Sequence, residues 1–154
     1  MTRGLVALGL ALAVMTLACT DAVPCTSCPA LAGSYAMIFQ ETSRSADCAT
    51  LPPPAPPSRL ELTQAGSTGR ATVGALDLVG TIYDTWDFVL SGTGSPDGGP
   101  ASESVSVRGR FVAPPSGHDG GSSIQGTWTA GADAQVTGTA LSCSVELSFT
   151  GTRP

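Results

Sequence analysis

The sequence predicts an all-β fold, an antiparallel up-and-down β-barrel of about eight strands, with a β-sandwich as the alternative. Three observations predict it. From residue 33 on, apolar side chains recur at every second position, the period of a half-buried strand, and helical spacing is hard to find. Clusters rich in Gly, Pro, Ser and Thr separate these runs and read as turns. The chain has only 154 residues, with nineteen Gly and twelve Pro, so its strands must be joined by tight hairpins rather than by the long crossovers of parallel sheets. Closing the last strand on the first removes the unpaired edges that make open sheets aggregate.

Taken in order, Tyr35, Met37 and Phe39 share one face of a first strand over 33–41. Residues 42–57 form a loop, and its PPPAPP run is stiff polyproline II. A second strand turns Leu60 and Leu62 inward and Arg59, Glu61 and Thr63 outward, and 65–69 reads as a hairpin turn. Ala71 and Val73 keep one phase and Leu76 and Leu78 the other, which predicts a bulge around Gly74-Ala75. Trp86, Phe88 and Leu90 then face inward before the glycine-rich turn 92–100; Asp84 shares their phase and is expected at the rim in contact with water, the alternative being a carboxylate that orients a ligand at the mouth. Val105, Val107, Gly109 and Phe111 line the next inward face, and 114–123 is a loop. Ile124, Gly126 and Trp128 follow. The last strand turns Leu141, Cys143, Val145, Leu147 and Phe149 inward. At about 1.5–3 kcal/mol for each large apolar side chain buried, these positions make an adequate core for one small domain.

The N-terminus speaks to location. Arg3 is followed by an uncharged apolar run from Gly4 to Ala18 and then by Cys19. The segment resembles a bacterial lipoprotein signal peptide, with Met15-Thr16-Leu17-Ala18-Cys19 as its lipobox; Leu17 stands two residues before the cysteine, where that family usually places it three before. The resemblance implies cleavage after Ala18 and acylation of the Cys19 thiol and of the freed amine. A transmembrane helix needs about 20 apolar residues to cross about 30 Å of hydrocarbon; this run is shorter and is closed by Asp21 and Pro24. Three parts result: a signal peptide over 1–18, a lipidated tether over 19–32 and a barrel over 33–154. Thr20 after the cysteine is similar to the pattern of outer-membrane lipoproteins, so the expected location is the cell envelope, anchored to the outer membrane of a Gram-negative bacterium. The alternative is a secreted or periplasmic protein. The phrases LELTQAGS (60–67), DFVLSGTG (87–94), IQGTWTAG (124–131) and SFTGTRP (148–154) resemble small all-β bacterial lipoproteins with lipocalin-like barrels. That resemblance implies the fold and assigns no activity.

Composition narrows the function. Seven basic residues, all Arg, stand against twelve acidic ones, for a net charge of −5. Without a basic stripe, nucleic acid and anionic lipid are not expected partners. Lys and Asn are absent, which excludes Schiff-base chemistry and N-linked glycosylation.

With Cys19 acylated, Cys25, Cys28, Cys48 and Cys143 remain, an even number expected to oxidise after export. In an eight-stranded barrel the last strand lies antiparallel beside the first, which brings Cys143 near Cys48. Cys25 and Cys28 precede the first strand and lie a strand length away at about 3.3 Å per residue. The expected pairs are Cys48–Cys143 and Cys25–Cys28; seven strands would bring Cys143 to Cys25 or Cys28 instead.

The motifs that resemble catalytic chemistry have simpler readings. Cys25-x-x-Cys28 has redox spacing but lies in a Pro-flanked tether, not at a helix N-terminus where thiol pKa values fall. His118, the single histidine, sits beside Ser116, Asp119, Ser122 and Ser123 in a glycine-rich loop, where nothing holds a catalytic base in orientation. Asp97-Gly98-Gly99 and Asp119-Gly120-Gly121 lack the further carboxylates of a calcium loop and read as turns. No catalytic residue, metal or cofactor is expected. The protein reads as a lipid-anchored envelope protein with a non-enzymatic structural or interaction role. The alternative is lipocalin-like binding of a small apolar ligand, lined by Tyr35, Trp86, Phe88, Phe111 and Trp128. Expected partners are the membrane through acylated Cys19 and either such a ligand or an envelope protein. Inward Gly109 and Gly126 either leave room for a ligand or make space for Trp128 and Phe111.

Overall fold

Eight strands follow one another around a closed antiparallel barrel: β1 (Gly33–Arg44), β2 (Arg59–Ala65), β3 (Thr68–Val73), β4 (Leu76–Ile82), β5 (Asp87–Gly94), β6 (Ser102–Val112), β7 (Ser123–Val136) and β8 (Thr139–Thr152). The computed structural model describes residues 22–95, 99–113 and 121–153. Each strand pairs with the next, and β8 returns to β1 with Ala36 opposite Thr152, Phe39 opposite Phe149 and Arg44 opposite Val145. An even strand number lets the last strand meet the first antiparallel, so every step of the ring can be a hairpin. Among the described residues no helix is long and apolar enough to cross a membrane.

Two-residue turns set the register on the β2–β4 side. Gly66 and Gly74, with φ of 58° and 57°, take the first place of the turns Gly66-Ser67 and Gly74-Ala75, as a type II′ turn requires. The bulge expected at Gly74-Ala75 is therefore a hairpin turn. Val73 pairs with Leu76 and Ala71 with Leu78. Cross-strand partners share a face, so a two-residue turn changes the phase of the apolar pattern without an extra residue in either strand. The irregularity in the ladder lies instead between Glu41 and Ser43, where β1 shifts register against β8. There the Thr42 hydroxyl donates to the Glu146 carbonyl at 2.9 Å. At the far turn, Thr137 and Gly138 both have positive φ, the type I′ pattern, and β7 and β8 stay paired out to Val136 and Thr139.

The inward faces are those that alternation predicts, from Tyr35 and Leu60 through Val107 and Trp128 to Phe149, all buried. Trp86 departs from this. It is 43% exposed, has φ 65° and lies in a turn before β5. The Tyr83 amide donates to the Asp87 carbonyl and the Trp86 amide to the Tyr83 carbonyl, which turns the chain before the pleat begins. The indole then rests on the rim against Phe111, with ring centroids 6.0 Å apart. Asp84 belongs to the same turn and is exposed, in the water-contacting position expected of it. Gly109 and Gly126 are register partners, and Phe88 lies opposite Gly109. A Cβ on Gly109 would stand 2.6 Å from the Phe88 ring, so that ring takes the space, rather than Trp128, Phe111 or a ligand.

The two ends of the barrel are closed differently. Residues 22–32, expected to be a tether, pack onto one end. Pro24 bridges Tyr83, the Cys25 amide donates to the Ile82 carbonyl, and the Leu31 amide donates to Gln64 Oε1. Cys25 and Leu31 are buried, and the Tyr35 hydroxyl donates to the Leu31 carbonyl at 2.9 Å. Burial pushes the Tyr35 phenol above its ordinary pKa, partly offset by the nearby Arg153 charge. Cys25–Cys28 and Cys48–Cys143 are the two disulfides, with Cα atoms 5.2 and 4.7 Å apart. This is the pairing that the even strand number predicts.

Candidate functional site

The opposite end is the mouth, and its shape follows from unequal strand lengths. β2 pairs with β1 only from Gly33 to Ala36, so β1 from Met37 to Arg44 has β8 on one side and no strand on the other. The segment between the 3₁₀ turn Ala46–Ala49 and β2 runs there as a strap. Its start is held by Cys48–Cys143, by the Ser142 amide donating to Asp47 Oδ2 at 3.1 Å and by the Ser45 amide donating to the Ser144 carbonyl. Its end is held by the Met37 amide donating to the Ser58 carbonyl at 2.9 Å. Between these fixed points runs proline-rich chain, which has few amide donors to satisfy and keeps its own extended shape.

Beneath the strap is a cavity of about 400 Å³, walled by Phe39, Trp128, Ala130, Val145 and Leu147 from the barrel and by Pro52, Pro53, Pro54, Ala55 and Pro56 from the strap. The volume lies within the ~300–1,000 Å³ range of small-molecule sites. Phe39 meets Trp128 edge-to-face at 5.6 Å and Phe149 tilted at 6.2 Å, which holds the aromatic wall in place. Glu41 and Arg44 lie at the rim, joined at 2.7 Å. The hydrogen bond from Arg44 holds the Glu41 carboxyl below its usual range, and the pair is exposed enough to restrain the rim only weakly. Trp128 is fully buried, yet its Nε1–H has no hydrogen-bond partner among the described residues. Buried indole N–H groups usually find an acceptor, and an unpaired one carries a desolvation penalty of about 1–3 kcal/mol.

Other hollows lack this combination. A wider depression of about 570 Å³ lies open on the surface, with Ile38, Gln40, Gln125, Thr127 and Thr150 among its walls. An apolar gap of about 10 Å³ near Leu62, Ile82 and Phe88 has room for about one water and no polar group to hold it. Among the described residues, no three His, Cys, Asp or Glu side chains converge as a metal site would require.

Of the five aromatic residues expected to line a ligand site, the cavity takes only Trp128. Tyr35 is buried with its hydroxyl on Leu31 at the sealed end, Phe88 packs on Gly109, and Trp86 covers Phe111 at the rim. Phe39, Ala130, Val145, Leu147 and the proline strap join Trp128 instead. Inward phase was legible for Phe39, Val145 and Leu147; that the strap lies across them was not. Cys19, Ser116, His118, Asp119 and the pair Asp97-Gly98 lie outside the described residues, while Ser122 is buried and Ser123 opens β7. No known protein family, curated protein or solved structure matches the chain.

Proposed function

We propose that the protein is a lipid-anchored envelope protein of non-enzymatic function whose barrel mouth binds a small, largely apolar ligand. The observation that carries this reading is the largely apolar cavity of about 400 Å³ beneath the proline strap, walled by Phe39, Ala130, Val145 and Leu147. The walls, aromatic, aliphatic and proline, would take up hydrocarbon. On this reading ligand binding comes ahead of a purely structural or interaction role.

Anchoring has its own test. Acylation at Cys19 with more than one chain adds about 0.8 kcal/mol per buried CH₂ and holds a protein on a membrane almost permanently. Cys19→Ala is expected to move the protein from the membrane to the soluble fraction, and mass spectrometry of the parent to find an acylated Cys19 as the mature N-terminus. An unmodified N-terminus at another residue would overturn the anchor.

Ligand binding is tested on the soluble Cys19→Ala protein by titration with a naphthyl ketone, whose emission shifts to the blue in apolar surroundings. Saturable binding is expected. It should disappear in Ala130→Phe, which fills the cavity. Absence of saturable binding, or binding unchanged by Ala130→Phe, would overturn the reading.

A further inference from the structure

The sealed end carries apolar surface that the core does not use. Trp86 is 43% exposed, Val23 59% and Val112 38%. They belong to one end of the barrel. The Val23 carbonyl accepts the Asp84 amide at 3.1 Å, Trp86 lies two residues further on in that turn, and its indole packs on Phe111 beside Val112. Trp86 also holds a left-handed φ of 65°, which a bulky side chain adopts at a cost and Gly does not. Placing a large aromatic there yields no burial in the core, since the turn closed by Tyr83 and Asp87 takes Trp86 out of the strand whose phase Phe88 and Leu90 keep.

The position of this end relative to the chain's start says what covers it. Cys19 precedes Ala22, where the described chain begins, by three residues. Extended chain spans at most about 3.6 Å per residue, so an acyl group on Cys19 holds Ala22 within roughly 10 Å of the lipid surface. Val23 and Pro24 come next, and Pro24 is bridged to Tyr83 against the same turn. We infer that the sealed end, through Val23, Trp86 and Val112, seats in the interfacial layer of the bilayer that the acylated Cys19 enters. This rests on the anchoring proposed above. Trp suits the headgroup level because its ring is apolar and its N–H can remain hydrated. Anionic headgroups add nothing to this contact, because the net charge is −5 and two acidic groups flank Trp86: Asp87, paired with Arg110 at 2.7 Å, and exposed Asp84, which accepts the Thr26 amide at 3.1 Å. The strap-covered mouth, at the other end of the strands, then faces away from the bilayer, and a ligand enters it from the aqueous side.

The test uses the full, lipidated protein reconstituted in phosphatidylcholine vesicles, with and without bromine on the acyl chains near the headgroup. The chain has two Trp, and Trp128 is fully buried, so quenching by brominated lipid reports Trp86. We expect the parent to float with the vesicles and to lose emission to brominated lipid, with little change on adding salt. Trp86→Gly, which suits the left-handed backbone, should float equally and lose that quenching. Flotation without quenching of the parent, or quenching retained in Trp86→Gly, would overturn the interfacial seat alone. Failure to float would overturn the anchor and the seat together.

Discussion

Replacing Cys48 and Cys143 together by Ser is expected to lower the unfolding free energy by about 4–5 kcal/mol, the chain-entropy value for a bridge closing a loop of about 100 residues. The two cysteines are 95 apart in sequence, and the bridge ties the turn after β1 to β8 across the closure of the barrel. Its loss frees the unfolded chain from that loop. In the folded state it leaves the start of the strap held only by hydrogen bonds, such as the Ser144 amide to Ser45 Oγ at 3.0 Å. Cys25–Cys28, with a separation of 3, constrains far less unfolded chain, so the same replacement there should have a much smaller effect. Urea unfolding of the two double variants beside the parent measures both. A loss of under about 1 kcal/mol at Cys48 and Cys143 would mean that the closure is held by the β1–β8 ladder alone.

Trp128→Ala is expected to destabilise the barrel by about 3–5 kcal/mol, the usual range for a buried aromatic truncated to Ala. Trp128 is 0% exposed and packs between Leu147, its partner on β8, and Phe39. The existing cavity borders it, so removal of the indole would join the two spaces, and the walls could not collapse without moving the strap. Trp128→Phe should stay within about 1.5 kcal/mol of the parent, because most of the volume is kept. It also removes a buried donor that has no partner. Thermal or urea unfolding of the pair separates volume from hydrogen bonding: a large loss in both variants would mean that the indole N–H has a partner in the folded protein.

Much of the fold was legible because strand alternation is a local signal. Tyr35, Leu60, Phe88, Val107, Trp128 and Val145 each take the inward side that their phase predicts. Strand parity then carried the disulfides, since an even count returns Cys143 to the end of β1. The candidate site was less legible. Trp86 continues the alternation of Phe88 and Leu90 in sequence, yet a turn closed by Tyr83 and Asp87 removes it from the strand. The phase change at Gly74-Ala75 has two structural causes with the same apolar pattern, a bulge or a two-residue turn, and only pairing of Val73 with Leu76 separates them. Gly109 and Gly126 leave inward space, and only the tertiary structure says what fills it: the Phe88 ring at Gly109 and the backbone of Arg108 and Gly109 at Gly126.

Short-range period and strand parity in the amino-acid chain are enough for the class of fold, the inward face of most strands and the cysteine partners. Tertiary structure alone decided that β2 stops pairing at Ala36, that the proline strap covers the gap left beside β1, and that residues 22–32 seal the other end. The physical reason is that these features depend on where strands end relative to one another around a closed ring. That stagger is set by hydrogen-bond register across the whole barrel, and no local run of residues encodes it.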